Sequence, residues 1–248
     1  MTKIISLLNF KGGVGKTTST HSLGAALSNF GKKVLLIDLD PQGTLTFFST
    51  DKEINKSSLD LLFDRFPASE CILNLNEFDL IPSNIRLATS ELELNGHYGK
   101  EFRLKNALEK LEKKYDYILI DCPPSLSVFT LNALTASTDL IIPCECELAS
   151  LEGVELLLAT LKSPITQLNP KLNILGILPT KLDYRKKISK EVYEALQIEH
   201  KNILPAIRIN SKLSELGIEK QSIFKYDKNS NGAKDYLVVA KEILNGKS

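Results

Sequence analysis

The 248-residue chain has no tryptophan, one methionine, three histidines and four cysteines. His21, His97 and His200 are scattered, and none forms a recognisable triad pattern with a serine or cysteine, so histidine-assisted nucleophilic chemistry is not expected. Cys71, Cys122, Cys144 and Cys146 lack zinc-finger spacing. Cys144-x-Cys146 leaves a metal or iron–sulfur site open, but the pair follows the apolar run Leu140-Ile141-Ile142, where small buried cysteines are common. Phenylalanines and tyrosines are dispersed rather than gathered into a stacking platform for bases. No apolar run approaches the ~20 residues a membrane span needs. The chain enters an apolar strand almost at once, so no secretory leader is expected. The expected location is therefore cytoplasmic, with no membrane partner. There is no repeat, low-complexity tract or Gly/Ser linker, and a single domain over 1–248 is the simplest organisation.

What is present is ordinary in amount and uneven in placement. Hydrophobic residues make up 43% and charged residues 25% of the chain, and the net charge is +1, values of a globular domain. Yet residues 181–248 carry 14 Lys and Arg against 9 Asp and Glu, whereas 1–180 carries 17 against 21. A basic C-terminal quarter suits a polyanion-facing surface and equally a solvated lysine-rich face.

The most informative segment is Lys11-Gly12-Gly13-Val14-Gly15-Lys16-Thr17-Thr18. It lies between the apolar strand Ile4–Leu8 and a helical pattern over 17–30 with Leu23, Ala26, Leu27 and Phe30 on one face. Strand, glycine loop and helix form the context of a phosphate-binding loop. Its backbone N–H groups converge on an anion, and the helix N-terminus adds a partial positive charge. Lys16 supplies a full charge to the β/γ-phosphates, and Thr17 a hydroxyl to Mg²⁺. The ordinary pattern G-x-x-x-x-G-K-[ST] places glycine where this chain has Phe10, and a second lysine, Lys11, opens the loop instead.

Two further apolar strands end in aspartate. Val34-Leu35-Leu36-Ile37-Asp38 runs into Leu39-Asp40-Pro41-Gln42-Gly43. Alternate strand residues share a face, so Asp38 and Asp40 are expected to point the same way. Tyr117-Ile118-Leu119-Ile120-Asp121 precedes Cys122-Pro123-Pro124-Ser125, and Asp121 is placed to hold Mg²⁺ through water. Strands are expected near 3–9, 33–38, 78–82, 117–121, 139–143, 172–178 and 203–207. Helices are expected near 16–30, 57–63, 84–92, 101–114, 127–136, 149–168, 187–199, 211–216 and 232–245. The alternation predicts an α/β fold, a mostly parallel twisted sheet with helices on both faces.

With its leading lysine, the glycine loop resembles the deviant Walker A motif, KGGxGK[ST], of the ParA/MinD branch of P-loop ATPases. The resemblance to ParA/Soj-type partition ATPases covers nearly the whole chain. Leu151-Glu152-Gly153-Val154 is similar to the family's "ALEG" helix start. Leu175-Gly176-Ile177-Leu178-Pro179-Thr180 is similar to the strand leading to its adenine pocket. Lys225-Tyr226-Asp227 and Ser230-Asn231-Gly232-Ala233 match the segment before its last helix.

The resemblance implies an ATP hydrolase using ATP and Mg²⁺, with Lys11, Lys16 and Asp40 catalytic. Residues Lys11, Gly12, Gly13, Val14, Gly15, Lys16, Thr17, Thr18 and Thr180 would bind ATP, and Thr17, Asp38 and Asp121 the metal. Pro41-Gln42-Gly43 and Pro123-Pro124-Ser125 would be switches. Asp40 would orient the attacking water, and Lys11 would reach the other subunit's nucleotide in an ATP-bound homodimer. Asp183-Tyr184-Arg185 aligns with a "DGR" segment and Lys212-Leu213-Ser214-Glu215 with "RLSEA". Arg185, Lys186, Lys187, Arg208 and Lys212 would then bind double-stranded DNA without sequence preference, on the nucleoid. A ParB-like protein would stimulate turnover.

The chain departs from the family at "IPRN", which reads Arg208-Ile209-Asn210 here, and no N-terminal helix-turn-helix extension is expected. Two neighbouring readings share the ATPase core. One is a MinD-like membrane-surface ATPase, which would use a basic amphipathic tail. The other is a ParA-like positioner of a non-DNA cargo, which the sequence does not separate from DNA partition.

Overall fold

The apolar runs Val34–Ile37 and Tyr117–Ile120, each ending in a buried aspartate, lie in the middle of the sheet, as strands covered on both faces need apolar residues at nearly every position. The computed structural model describes residues 2–112 and 114–246. Its strands are β1 (Lys3–Leu7), β2 (Val34–Asp38), β3 (Leu73–Asn74), β4 (Asp79–Ile81), β5 (Tyr117–Asp121), β6 (Asp139–Glu145) and β7 (Asn173–Thr180). They make one sheet in the order β3-β4-β2-β5-β1-β6-β7. All neighbours are parallel except β3 and β4.

The α-helices are α1 (Lys16–Asn29), α2 (Thr44–Ser49), α3 (Ser58–Leu62), α4 (Arg86–Asn95), α5 (Arg103–Glu109), α6 (Val128–Ala136), α7 (Ala149–Leu168), α8 (Lys187–Glu199), α9 (Ser211–Glu219), α10 (Ile223–Asp227) and α11 (Asn231–Asn245).

The sheet divides two cores. On one face Leu35, Ile37, Ile118 and Ile120 meet Leu59 of α3, Leu94 of α4, Phe129 of α6, Leu157 of α7 and Leu196 of α8. On the other, Val34, Leu36, Tyr117 and Leu119 meet Leu23 and Leu27 of α1, Leu216 of α9, and Tyr236 and Val239 of α11. The assignment alternates residue by residue, as pleating requires. Register then positions the site: Leu7 and Asp38 both lie opposite Asp121, so β1, β2 and β5 end together. In parallel sheets this carboxyl edge is where ligands sit.

The α/β class and both-face layering agree with the sequence reading, while several elements differ. The first strand ends at Leu7, not at 9, because the chain turns into the glycine loop. Residues 203–207 form no strand; Ile203 and Arg208 make single bridges to Ile177 and Leu182. The segment expected to be one helix over 101–114 is a 3₁₀ turn, Lys100–Phe102, followed by the seven-residue α5; position 113 lies outside the described residues. The short elements α2, α10 and β3 were not anticipated, being too brief to show a period.

At Gly176 of β7, a Cβ would lie 2.9 Å from the carbonyl oxygen of Asn202, which accepts the Ile177 N–H at 2.9 Å. A backbone oxygen cannot rotate away as a side chain can. Gly176→Ala is expected to cost about 1–3 kcal/mol of unfolding free energy, read from the urea midpoint; an unchanged midpoint would mean that 202–204 yields freely.

Candidate functional site

The loop between β1 and α1 is held open at the carboxyl edge of the sheet. Gly13 and Gly15 have φ of +77° and +88°, a left-handed conformation that only glycine adopts without strain. Gly15 is the N-cap of α1 and provides no side-chain acceptor, so the first-turn N–H groups remain available to an anion. Two side chains, Asn9 beside the loop and Thr180 from β7, pin it. Asn9 accepts the Lys11 N–H at 3.0 Å and donates to the Pro143 carbonyl at 2.8 Å. Thr180, at the end of β7, donates to the Val14 carbonyl at 2.8 Å. Lys16 is 7% exposed and its Nζ donates to the Lys11 carbonyl at 3.2 Å. Burial lowers its pKa, with Asp121 the leading opposing influence.

Asp38 and Asp121 end neighbouring strands in register, and both are fully buried. Thr17 Oγ1 donates to Asp121 at 2.7 Å. Asp38 accepts from the Thr46 N–H and hydroxyl, both at 2.8 Å, and from the Asp40 N–H at 3.1 Å. Burial pushes the Asp38 carboxyl up to about 7 against those donors. The Asp121 carboxyl is raised by burial and then by the Asp38 charge. Asp121 Oδ1 is buried with no hydrogen-bond partner. An orphaned carboxylate oxygen beside a hydroxyl and a second carboxylate is a hard-oxygen donor set that fits Mg²⁺.

Asp40 arrives differently from expectation. β2 stops at Asp38, so strand alternation does not extend to Asp40; a turn brings the two acids together. Asp40 Oδ1 accepts the Gln42 N–H at 2.9 Å, and its carbonyl accepts the Gly43 N–H at 2.9 Å and the Ser83 hydroxyl at 2.8 Å. Pro41-Gln42-Gly43 forms this turn, and Gly43 caps α2. Pro123-Pro124-Ser125 follows β5, with Pro124, Ser125 and Leu126 exposed and the Ser125 carbonyl accepting from Thr130. Lys11 pairs with Glu147 of the same chain.

The basic residues fall into two groups. Arg185 is 82% exposed at the side chain and forks onto Asp183 at 2.8 and 2.9 Å; the guanidinium holds that carboxyl down at about 2. Lys186 is exposed beside it, and Lys187 pairs with Glu191 across one turn of α8. Lys212, in the first turn of α9, donates to Glu215 and to the Tyr226 hydroxyl, both at 3.0 Å. The Leu182–Arg208 bridge sets the two basic segments side by side.

Arg208 does not belong with them. Its guanidinium is clamped to Asp235, and it lines a cleft of about 430 Å³ with Gly15, Thr18, Thr180, Ile207 and Tyr236. Sequence reasoning missed Asn9, Thr46, Ser83, Glu147 and Asp235. Of these only Asn9, a side-chain acceptor two residues before the loop N–H it binds, carried a local signal. Cys144 and Cys146 are buried, their thiols pushed up to about 11 and 12 by burial. No group of three or more His, Cys, Asp or Glu is arranged as a metal site among the described residues. No helix among them is long and apolar enough to cross a membrane.

Comparison with known proteins places this geometry. The AAA domain family matches residues 2–174. The sporulation initiation inhibitor protein Soj of Bacillus subtilis is 42% identical over 252 residues, covering 98% of either chain. The crystal structure of a putative plasmid partition protein of Borrelia burgdorferi bound to AMPPNP superposes with a TM-score of 0.87 at 31% identity, covering 99% of both chains. That of cobyrinic acid a,c-diamide synthase of Mycobacterium smegmatis with ADP and magnesium gives 0.86 at 37% identity, covering 99% of this chain and 95% of that one.

The acid pair makes the ligand-free protein pH-sensitive. Asp38 binds its proton up to about pH 7 when folded but only to its ordinary value, 3.8, when unfolded, so its contribution to stability falls as pH rises through that window. Asp38→Asn, which keeps an acceptor for Thr46, is expected to raise Tm at pH 8 while leaving Tm near pH 4 unchanged. Parallel thermal melts across pH measure this; a constant offset at every pH would remove the protonation account.

Proposed function

The chain belongs to the ParA/Soj-type partition ATPases, and from that premise we propose that it is an ATP-hydrolysing DNA-partition protein that works as a nucleotide-gated dimer. One observation carries the reading: a glycine loop, a buried lysine, a hydroxyl and two in-register buried carboxylates converge at one sheet edge, with a third carboxylate on the adjoining turn.

ATP would bind with its phosphates on the N–H groups of Gly12 to Thr18. Lys16, desolvated and close to the loop carbonyls, gains a counter-charge when phosphate arrives. Thr17, Asp121 and Asp38 would hold Mg²⁺, which neutralises charge developing on the phosphates. Asp40, on the turn rather than in the strand, accepts from and orients the attacking water, while the buried acid behind it fixes the Asp40 N–H. Pro41-Gln42-Gly43 and Pro123-Pro124-Ser125 border the γ-phosphate position and report its loss. Lys11 would leave Glu147 and reach the partner's phosphates when two protomers close over two nucleotides; an exposed ion pair is worth only about 0–1 kcal/mol, so its release is cheap.

Arg185, Lys186, Lys187 and Lys212 would make phosphate contacts with DNA that carry no sequence information. A protomer offers few of them, and dimer closure turns weak contacts into useful avidity. A ParB-like partner would raise a slow basal turnover. The location that follows is the nucleoid. The ADP, magnesium and AMPPNP of the two solved relatives support the nucleotide and metal assignment.

Asp40→Ala is expected to bind ATP, stall hydrolysis and shift unrelated duplexes on a gel with ATP but not with ADP. A variant that holds ATP yet shifts no duplex with either nucleotide would overturn the DNA reading. Arg185→Ala with Lys212→Ala should leave basal ATPase unchanged, weaken all duplexes alike and lower the salt dependence of binding by about two counterions per protomer. Unaltered DNA titrations at several salt concentrations would rule these residues out.

A further inference from the structure

Asp40 has no strand to hold it. β2 ends two residues earlier, and among the described residues the carboxylate is hydrogen-bonded only by the Gln42 N–H of its own turn. Its direction therefore follows the backbone. Peptide groups are planar, so fixing the two planes that flank the Asp40 Cα fixes where its Cβ points. The plane before it is tied to the sheet: the Asp40 N–H donates to Asp38 Oδ1 at 3.1 Å. The plane after it joins Asp40 to Pro41. Proline has no N–H, so the Asp40 carbonyl is that plane's one hydrogen-bonding handle. Gly43 donates to it at 2.9 Å, but Gly43 belongs to the same turn and moves with it. The tie from outside the turn is the Ser83 hydroxyl, at 2.8 Å.

Ser83 is well placed to act as a fixed point. It follows the end of β4 by two residues and is 2% exposed. The peptide before it is bonded at both ends: the Pro82 carbonyl accepts the Ser58 N–H at 2.7 Å, and the Ser83 N–H donates to Thr46 Oγ1 at 2.8 Å. Thr46 in turn donates to Asp38. The segment after β4 thus holds the turn at both ends, at Asp40 through a side chain and at Thr46 through the main chain. We propose that Ser83 is a positioning residue for hydrolysis, its hydroxyl setting the direction of the Asp40 carboxylate toward the attacking water. This rests on the role given to Asp40 above. Ser83 acts through the Asp40 carbonyl and touches no reacting atom.

Ser83→Ala is a clean probe. The Asp40 carbonyl keeps the Gly43 N–H, so no buried acceptor is orphaned, and the Ser83 N–H bond to Thr46 needs no side chain. Steady-state ATPase with Mg²⁺ at saturating ATP, ATP affinity by calorimetry and thermal melts are compared for the wild type, Ser83→Ala, Asn84→Ala and Asp40→Ala. Asn84→Ala cuts another tie of the same segment, from Asn84 Nδ2 to Ser57 Oγ at 2.9 Å, without reaching Asp40. In Ser83→Ala kcat is expected to fall about three- to tenfold with ATP affinity unchanged, and Tm to fall by about 2–4 °C. Asn84→Ala is expected to keep the wild-type kcat. A wild-type kcat in Ser83→Ala overturns the proposal. So does an equal loss of kcat in Asn84→Ala, which marks general loosening of the segment, or a loss of ATP affinity that accounts for the slower turnover. If Ser83→Ala does not fold, Ser83→Cys, close in shape and a weaker donor, decides by the same comparison. Asp40→Ala turning over at the wild-type rate defeats the role of Asp40, and the proposal with it; a slow Asp40→Ala beside an unimpaired Ser83→Ala defeats the proposal alone.

Discussion

Two carboxylates with no exposure to water stand next to each other at the ends of β2 and β5, and much of the surrounding structure answers that fact. Burying one ionised carboxylate is costly, and burying two side by side is more so. The protein meets the cost with placed donors: Thr17 on Asp121, and Thr46 with the Asp40 N–H on Asp38. Each donor commits a segment. Thr17 fixes the first turn of α1. Thr46 fixes α2, and through its own hydroxyl it also accepts the Ser83 N–H, which ties in the chain after β4. What remains is an electrostatic deficit that hydrogen bonds do not fill, at a place where an incoming cation would be stabilised.

The same economy governs the cations. Lys16 is buried against the Lys11 carbonyl rather than in water, and Arg185 and Lys212 are each matched to an acid nearby in sequence. Arg208 is matched to Asp235, 27 residues on. Arg185 is exposed on a buried acid and Lys212 pairs with Glu215 at the surface, whereas Arg208 is half-buried and anchored from α11. A formal count of charge over 181–248 treats these arginines and lysines alike, whereas their surroundings give them different work.

That contrast marks the limit of what the sequence conveys. The loop, the strands ending in Asp38 and Asp121, and the helices α1, α7 and α11 were legible because each is written in contiguous residues with a clear period or motif. The position of Asp40 was not, since extending the strand by two residues gave it the wrong route to its neighbour. Nothing local joins Thr46 to Asp38 or Asp235 to Arg208, as both contacts are made by helices folding back over the sheet. The helix expected over 101–114 proved mostly too long because its polar and apolar spacing continues past the point where α5 ends. Residues 203–207 looked like a strand for a related reason: they are extended and partly buried, and Leu204 and Ile207 donate to Ile177 and Pro179 of β7, yet only Ile203 makes a bridge and no ladder forms.

The strand order also sets a timetable. Of the strands in this sheet β1 is made before the others, but its two hydrogen-bonding partners are β5 and β6, more than a hundred residues downstream. At roughly 5–20 residues per second, the edge that β6 fills goes unpaired for about 7–27 s, until translation has passed Ile141. During synthesis β1 is therefore left with an unpaired edge until β6 follows, and the glycine loop lacks its ties to Pro143 and Thr180 until those residues are made. A fragment ending short of β6 would expose an open edge of β1, a ready template for pairing with another chain.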